Sequence, residues 1–142
     1  MISTYTKASR PRKGLARSVF AVLTGLVLNA ALSLGADQVF HELAVYPPWG
    51  EPMRQTSDNV LALSYRIIFA LLASYAAGRL APFAPLKHAL VLGGIALVLS
   101  AIGAYVGVVM VDLGPAWYPL SLVVISLPCA WFGGVLAERH RS

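Results

Sequence analysis

Residues 89–111 read ALVLGGIALVLSAIGAYVGVVMV and contain no charged side chain. A helix needs about 20 apolar residues to cross the roughly 30 Å hydrocarbon core of a bilayer, so this run is long enough to cross once. Because hydrocarbon contains no water, the backbone amides need hydrogen-bond partners within the protein, and a helix provides these within one segment. Membrane β-strands are shorter and alternate in polarity. The stretch therefore predicts a transmembrane helix.

Three further runs have the same character, at 18–36, 59–78 and 113–137. Arg66 is the only charged residue that they contain. With the helix ends included, the predicted spans are about 17–40, 58–80, 87–111 and 115–137. The sequence predicts an all-α polytopic membrane protein, a four-transmembrane-helix bundle formed by two antiparallel helical hairpins.

The composition supports this class, because the chain is 58% hydrophobic and only 12% charged. Its 142 residues suffice for one membrane domain, 18–138, between a basic N-terminal arm, 1–17, and a short tail, 139–142. Eleven Lys and Arg against six Asp and Glu would suggest nucleic acid in a soluble protein. Here the placement of the charges gives another explanation, so the expected partner is the lipid bilayer and not nucleic acid.

Nine of the eleven basic residues fall on one side of the predicted bundle and most acidic residues on the other. Short cytoplasmic segments carry the excess of Lys and Arg, so both termini are predicted to be cytoplasmic in a bacterial-type inner (plasma) membrane. The nine basic residues on this side are Lys7, Arg10, Arg12, Lys13, Arg17, Arg79, Lys87, Arg139 and Arg141. The acids of the opposite side are Asp37, Glu42, Glu51, Asp58 and Asp112.

Arg66 is the costliest residue of the predicted spans, because a charge at mid-membrane costs at least about 2.5 to 3.5 kcal/mol. It follows Asp58 by eight residues, which places it about 12 Å below the outer surface at 1.5 Å per residue. A carboxylate on that side is its expected partner, and Asp37, at the outer end of the first span, is predicted to fill this role. Asp37 shares a helical face with His41, four residues later.

The outer side therefore carries a cluster of ion-pair or relay candidates, namely Asp37, His41, Glu42, Asp58, Arg66 and Asp112. One interpretation is a structural ion-pair network at the rim of the bundle. A second is a proton or ion relay, for which Asn29 adds a polar group at mid-membrane. A metal site at Asp37 and His41 lacks an evident third ligand, so no metal is predicted. The three histidines do not form an axial pair for haem, and no cofactor is predicted.

Small residues mark where membrane helices approach closely, since packing decides association in lipid. The candidates for helix packing are Gly93, Gly94, Gly103, Gly107, Ala73 and Ala77. The pattern does not separate contacts within the chain from contacts in a homo-oligomer or a larger membrane complex. The single cysteine, Cys129, excludes an intramolecular disulfide.

The two outer loops carry the same residue types. Their interfacial residues are Tyr46, Pro47, Pro48, Trp49, Trp117 and Tyr118. An aromatic belt at the headgroup layer explains them, and a cap in which the two loops pack together is the alternative. Residues 56–59 offer side chains to cap the second helix, and Gly114 with Pro115 predicts a tight last turn.

Three functions are consistent with these features. The first is an accessory or assembly protein, or an oligomeric membrane subunit. The second is a small ion- or proton-coupled transporter or channel that uses the outer Asp, His and Arg cluster. The third is a membrane-embedded lipid-modifying enzyme with His41 as its general base. No catalytic residue is assigned, and the sequence favours a protein that is not an enzyme.

Overall fold

The computed structural model of the protein describes residues 12–141. Its helices are α1 (Arg12–Glu42), α2 (Thr56–Leu80), α3 (Pro85–Tyr105) and α4 (Trp117–Arg139), and a π-helical turn, Val106–Met110, continues α3. No β-strand occurs in this part of the chain. Each helix is long and apolar enough to cross a membrane. The protein is an all-α four-helix bundle, which confirms the predicted fold class.

The helix bounds differ from the predicted spans at a few ends. α1 begins at Arg12, about five residues before the apolar run, because charged residues end a hydrophobic segment without ending a helix. Pro85 occupies the first turn of α3, where its missing N–H costs nothing. Residues 1–11 of the predicted N-terminal arm and residue 142 of the tail lie outside the described residues.

Capping of α2 by residues 56–59 was a wrong expectation. The helix starts at Thr56, and its N-cap residue, Gln55, makes no side-chain capping bond. Asn59 instead donates from Nδ2 back to the carbonyl oxygens of Met53 and Gln55, both at 2.9 Å. This buried amide therefore fixes the chain that leads into α2, a role that the capping pattern does not specify.

Helices α2, α3 and α4 form the centre of the bundle. α2 and α3 each contact all three other helices, whereas α1 packs on α2 and, over a smaller area, on α3. We call the end with loops 43–55 and 111–116 the acidic end, and the end with loop 81–84 the basic end. The bundle is thus a three-helix core with α1 attached to one side.

Small side chains allow close helix contacts in the half of the bundle nearer the basic end. A Cβ atom added to Gly133 on α4 would lie 2.6 Å from Cβ of Ser74 and 2.8 Å from the carbonyl oxygen of Leu71 on α2. A Cβ added to Gly25 on α1 would lie 2.9 Å from the carbonyl oxygen of Ala73. Such contacts leave no room for larger residues at these positions.

The two loops of the acidic end contact each other. The amide of Met53 donates to the carbonyl oxygen of Leu113 at 2.9 Å, and Arg54 pairs with Asp112 at 3.2 Å. Gly114 has a φ of 141°, and a Cβ there would collide with the carbonyl oxygen of Met53, so only glycine suits this position. The loops therefore form one cap over the acidic end.

Candidate functional site at the acidic end

Asp37 and Arg66 are in direct contact. The antiparallel packing of α1 and α2 places Asp37, five residues before the end of α1, beside Arg66, ten residues into α2. The guanidinium donates from its terminal nitrogen to Oδ2 of Asp37. The side chain of Arg66 is 27% exposed and that of Asp37 is 12% exposed, so the bundle largely shields the pair from solvent. This is the pairing that the spacing along the two helices predicts.

Two tyrosines extend this ion pair toward the loops. The hydroxyl of Tyr65, next to Arg66 on α2, donates to Oδ1 of Asp37, so each carboxylate oxygen accepts from a different side chain. The hydroxyl of Tyr46 in the first loop donates to the oxygen of Tyr65 at 3.1 Å. Burial raises the pKa of the Tyr46 phenol further above neutral pH, where the phenol is already protonated and acts as a donor. The chain of hydrogen bonds holds loop, α1 and α2 together.

His41 lies at the mouth of the site and is fixed by the first loop. Its Nδ1 lies 2.6 Å from the carbonyl oxygen of Pro47. Because that oxygen only accepts, Nδ1 carries a proton, and Nε2 is the acceptor of the neutral ring. The ring packs against Trp49, with centroids 3.9 Å apart. Trp49 in turn donates to Gln38 at 3.1 Å.

The other cluster candidates lie apart from the ion pair. Asp112 is bonded to Arg54 at the surface, where the side chains are 67% and 65% exposed. Glu42 accepts from Gln38 at 2.7 Å on the exposed side of α1. Asp58 is buried in the first turn of α2. The structure thus brings two of the six candidates into contact and sets His41 near them.

A cavity of about 370 Å³ lies beneath the cap and is lined by residues of all four helices and both loops. Its walls are mostly apolar, and its polar residues include Asp37, His41, Glu51, Asn59, Arg66 and Tyr118. Tyr118, at the start of α4, lines the same cavity as Arg66. A mainly apolar cavity of a few hundred Å³ with a few convergent polar groups is the usual form of a small-molecule site.

Two of the predicted packing glycines make room for this cavity. Gly103 on α3 and Gly107 on the π-helical turn that continues it both line the cavity. A Cβ added to Gly103 would meet no described atom within 4 Å beyond its own helix turn, and one added to Gly107 would meet only Leu113, at 3.9 Å. Gly94 is equally open, whereas Gly93 contacts Ala130 of α4. Within the chain, Gly93 thus serves a close helix contact and Gly103 and Gly107 an open space.

The remaining packing candidates lie in the core. Ala73 and Ala77 are 1% and 0% exposed, and Leu92 of α3 completes their cluster. Gly25 of α1 lies against both alanines, which explains why small residues are needed there.

A second, smaller pocket continues beyond Arg66 toward mid-bundle. Its volume is about 100 Å³, and it shares Arg66 and Ser100 with the cavity wall. Asn29 lines it, and its Oδ1, like Nε of Arg66, is buried without a hydrogen-bond partner among the described residues. The pocket has room for about three water molecules at roughly 30 Å³ each. Water there would satisfy both groups.

The interfacial residues divide between surface and interior. Trp49 and Trp117 are 57% and 37% exposed, as belt residues are. Pro48 is exposed, and Pro47 is half-buried with its carbonyl on His41. Tyr46, at 4% exposed, belongs to the interior network.

Sequence reasoning did not single out Tyr65 and Ser100, and it treated Tyr118 only as an interfacial residue. The only sequence feature that could have indicated Tyr65 is its position next to Arg66 on α2. Two neighbouring donors on one helix can both reach the carboxylate of Asp37. Ser100 gives no signal, because a serine in an apolar helix usually bonds its own backbone.

Within residues 12–141, no group of three or more His, Cys, Asp or Glu could hold a metal ion. No family model, curated protein or solved structure matches the chain. The fold and the site define a small bundle of four helices, each able to cross a membrane, with a partly polar cavity under its loops.

Proposed function

We propose that the protein is a multi-pass protein of a bacterial-type inner membrane, with both termini cytoplasmic, that binds a small amphiphilic solute in the cavity at the acidic end. It would act as a small transporter or as the binding subunit of a larger membrane complex. The observation that carries the proposal is the position of the Asp37 and Arg66 pair on the wall of the cavity. An ion pair with a purely structural role has no need of an adjoining space.

The charge distribution supports the orientation. Short cytoplasmic segments of membrane proteins carry an excess of Lys and Arg, which favours a cytoplasmic position for the basic end. The described cations there include Arg17, Arg79 and Arg141. A reporter fused after Arg141 is expected to be active only in the cytoplasm. Activity in the periplasm would reverse the orientation.

The chemistry of the walls narrows the class of solute. Asp37 neutralises Arg66, so the pair presents polarity with little net charge. The ring of His41 and the hydroxyl of Tyr118 add two further polar groups to the wall. The exposed carboxylate of Glu51 also lines the cavity, so a solute with an apolar body and a polar head that carries no negative charge complements this arrangement.

Thiol accessibility tests whether the cavity opens to water at the acidic end. The variant Ser100→Cys, in a Cys129→Ala background, is expected to react with a membrane-impermeant thiol reagent added from the periplasmic side. Val98→Cys is the control, since Val98 is exposed on the same helix but does not line the cavity. Equal labelling of the two thiols would overturn the proposal.

A cavity-filling pair tests whether the labelling reagent reaches Ser100→Cys through the cavity. Gly103→Leu places a side chain in the cavity, whereas Gly94→Leu places it outside, and neither Cβ meets a described atom within 4 Å. We expect Gly103→Leu to block labelling of Ser100→Cys and Gly94→Leu to leave it unchanged. Both variants should fold, because leucine favours helix over glycine by up to about 1 kcal/mol.

An accessory or assembly subunit is the second proposal, supported by the uneven packing of the bundle. α1 rests on α2 and only slightly on α3, so one side of the molecule is a single helix deep. Apolar residues of α1, such as Phe20 and Val27, are exposed on this side and are available for contact with a partner helix or a second copy. Purification in mild detergent as a monodisperse monomer without any partner would contradict this proposal.

A further inference from the structure

A second concave surface lies between α1 and α3 near the basic end. This groove has a volume of about 390 Å³ and almost no polar surface. Val22 and Val91 form its walls, and Ile95 its inner end. It runs about 12 Å along α3, from Lys87 to Ile95, at 1.5 Å per residue. It exists because α1 and α3 contact each other only slightly.

The polar residues of the groove, Ser18, Lys87 and His88, lie at its end nearest the bundle terminus. Lys87 is on the first turn of α3 and is exposed. The hydroxyl oxygen of Ser18 is buried and is therefore not open to the groove. No Asp or Glu belongs to the described lining, and the nearby Glu138 accepts from the amide of Leu86.

We propose that this groove binds an anionic phospholipid, with one acyl chain along α1 and α3 and the phosphate at Lys87. The apolar walls match a hydrocarbon chain, and the exposed cation of Lys87 matches the negative headgroup. In the proposed orientation the groove lies in the cytoplasmic leaflet. The binding itself does not depend on that orientation or on the cavity at the acidic end.

Native mass spectrometry of the full chain tests the proposal, with the protein released from nanodiscs of equal phosphatidylglycerol and phosphatidylcholine. The wild type is expected to retain phosphatidylglycerol preferentially. Lys87→Gln should lower that preference about fivefold, the equivalent of about 1 kcal/mol for one cation near the lipid surface. Lys87→Arg keeps the charge and should keep the preference.

A matched pair of substitutions tests the groove itself. Val91 and Val98 lie on the same helix and are both 55% exposed, but only Val91 lines the groove. Val91→Trp is expected to remove most of the retained lipid, and Val98→Trp to leave it in place. Gly103→Leu, at the other end, should not affect retention, so this proposal and the cavity proposal fail separately.

Two results would overturn the assignment. One is an unchanged lipid preference in Lys87→Gln together with equal retention in Val91→Trp and Val98→Trp. The other is a change of oligomeric state caused by Val91→Trp alone, which would make the groove a contact between copies of the chain.

Discussion

The half of the bundle nearer the acidic end and the half nearer the basic end are held together by different kinds of contact. At the basic half, glycine and alanine bring backbones together, as Gly133 does against Ser74. At the acidic half, Arg66, Asp37 and Tyr65 bridge α1 and α2 with polar side chains, and the space that these helices share with α3 and α4 stays open. Close packing excludes a ligand, whereas bridging by side chains leaves a volume for one.

The comparison shows that a small residue in a membrane helix has two opposite uses. Gly133 permits contact between two helices, and Gly103 preserves a cavity beside one. Both uses require the missing side chain, so the residue type alone does not distinguish them. The substitutions below separate the two uses and the two kinds of contact.

The largest expected effect comes from breaking the ion pair. Asp37→Ala leaves Arg66 shielded and without its carboxylate, which should reduce the free energy of unfolding by about 3 to 5 kcal/mol. Asp112→Ala breaks the exposed pair with Arg54 and should cost less than about 1 kcal/mol. Unfolding in mixed micelles, followed by circular dichroism, measures both. Equal losses would show that the acidic half does not depend on this pair.

The next effect concerns the tyrosine that supports the pair. Tyr65→Phe removes a hydrogen bond to a charged acceptor, and we expect a loss of about 1.5 to 3 kcal/mol in the same assay. Tyr75→Phe is the control, because the hydroxyl of Tyr75 bonds His140 at the exposed basic end. A loss in Tyr65→Phe no greater than in Tyr75→Phe would remove Tyr65 from the network.

A pair of glycine substitutions tests the two uses of small residues. Gly133→Ala forces a methyl group against α2 and should destabilise the bundle by about 1 to 3 kcal/mol. Gly103→Ala meets open space and should be neutral or stabilising by up to about 1 kcal/mol. The difference in free energy of unfolding measures the contrast. A destabilised Gly103→Ala would mean that this face of α3 is covered in the folded protein.

The smallest expected effect tests whether the pocket beyond Arg66 is wet. Asn29→Leu should change the free energy of unfolding by less than about 1 kcal/mol if water already satisfies the Asn29 amide. A dry pocket would leave that amide unpaired at a cost of about 1 to 3 kcal/mol, so the leucine variant would be clearly more stable. A gain of that size would therefore argue against a hydrated path beside Arg66.

Part of the candidate site follows from the sequence. Arg66 is the one charge inside the apolar runs, and its depth leaves few carboxylates within reach, so Asp37 is predictable as its partner. Tyr118 is not, because an aromatic residue at a helix start fits the interface and the interior equally well. The role of Gly103 in the cavity wall is not predictable either, since it depends on which helix lies opposite.

The number of helices, their approximate positions along the chain and the segregation of charge were determined by the sequence alone, because the bilayer thickness and the cost of charge in hydrocarbon act on each segment separately. The tertiary structure decided which small residues meet, where the helices separate and which side chains face the resulting cavity. Those outcomes depend on the rotation and tilt of each helix against its neighbours, and packing between segments distant in sequence sets both.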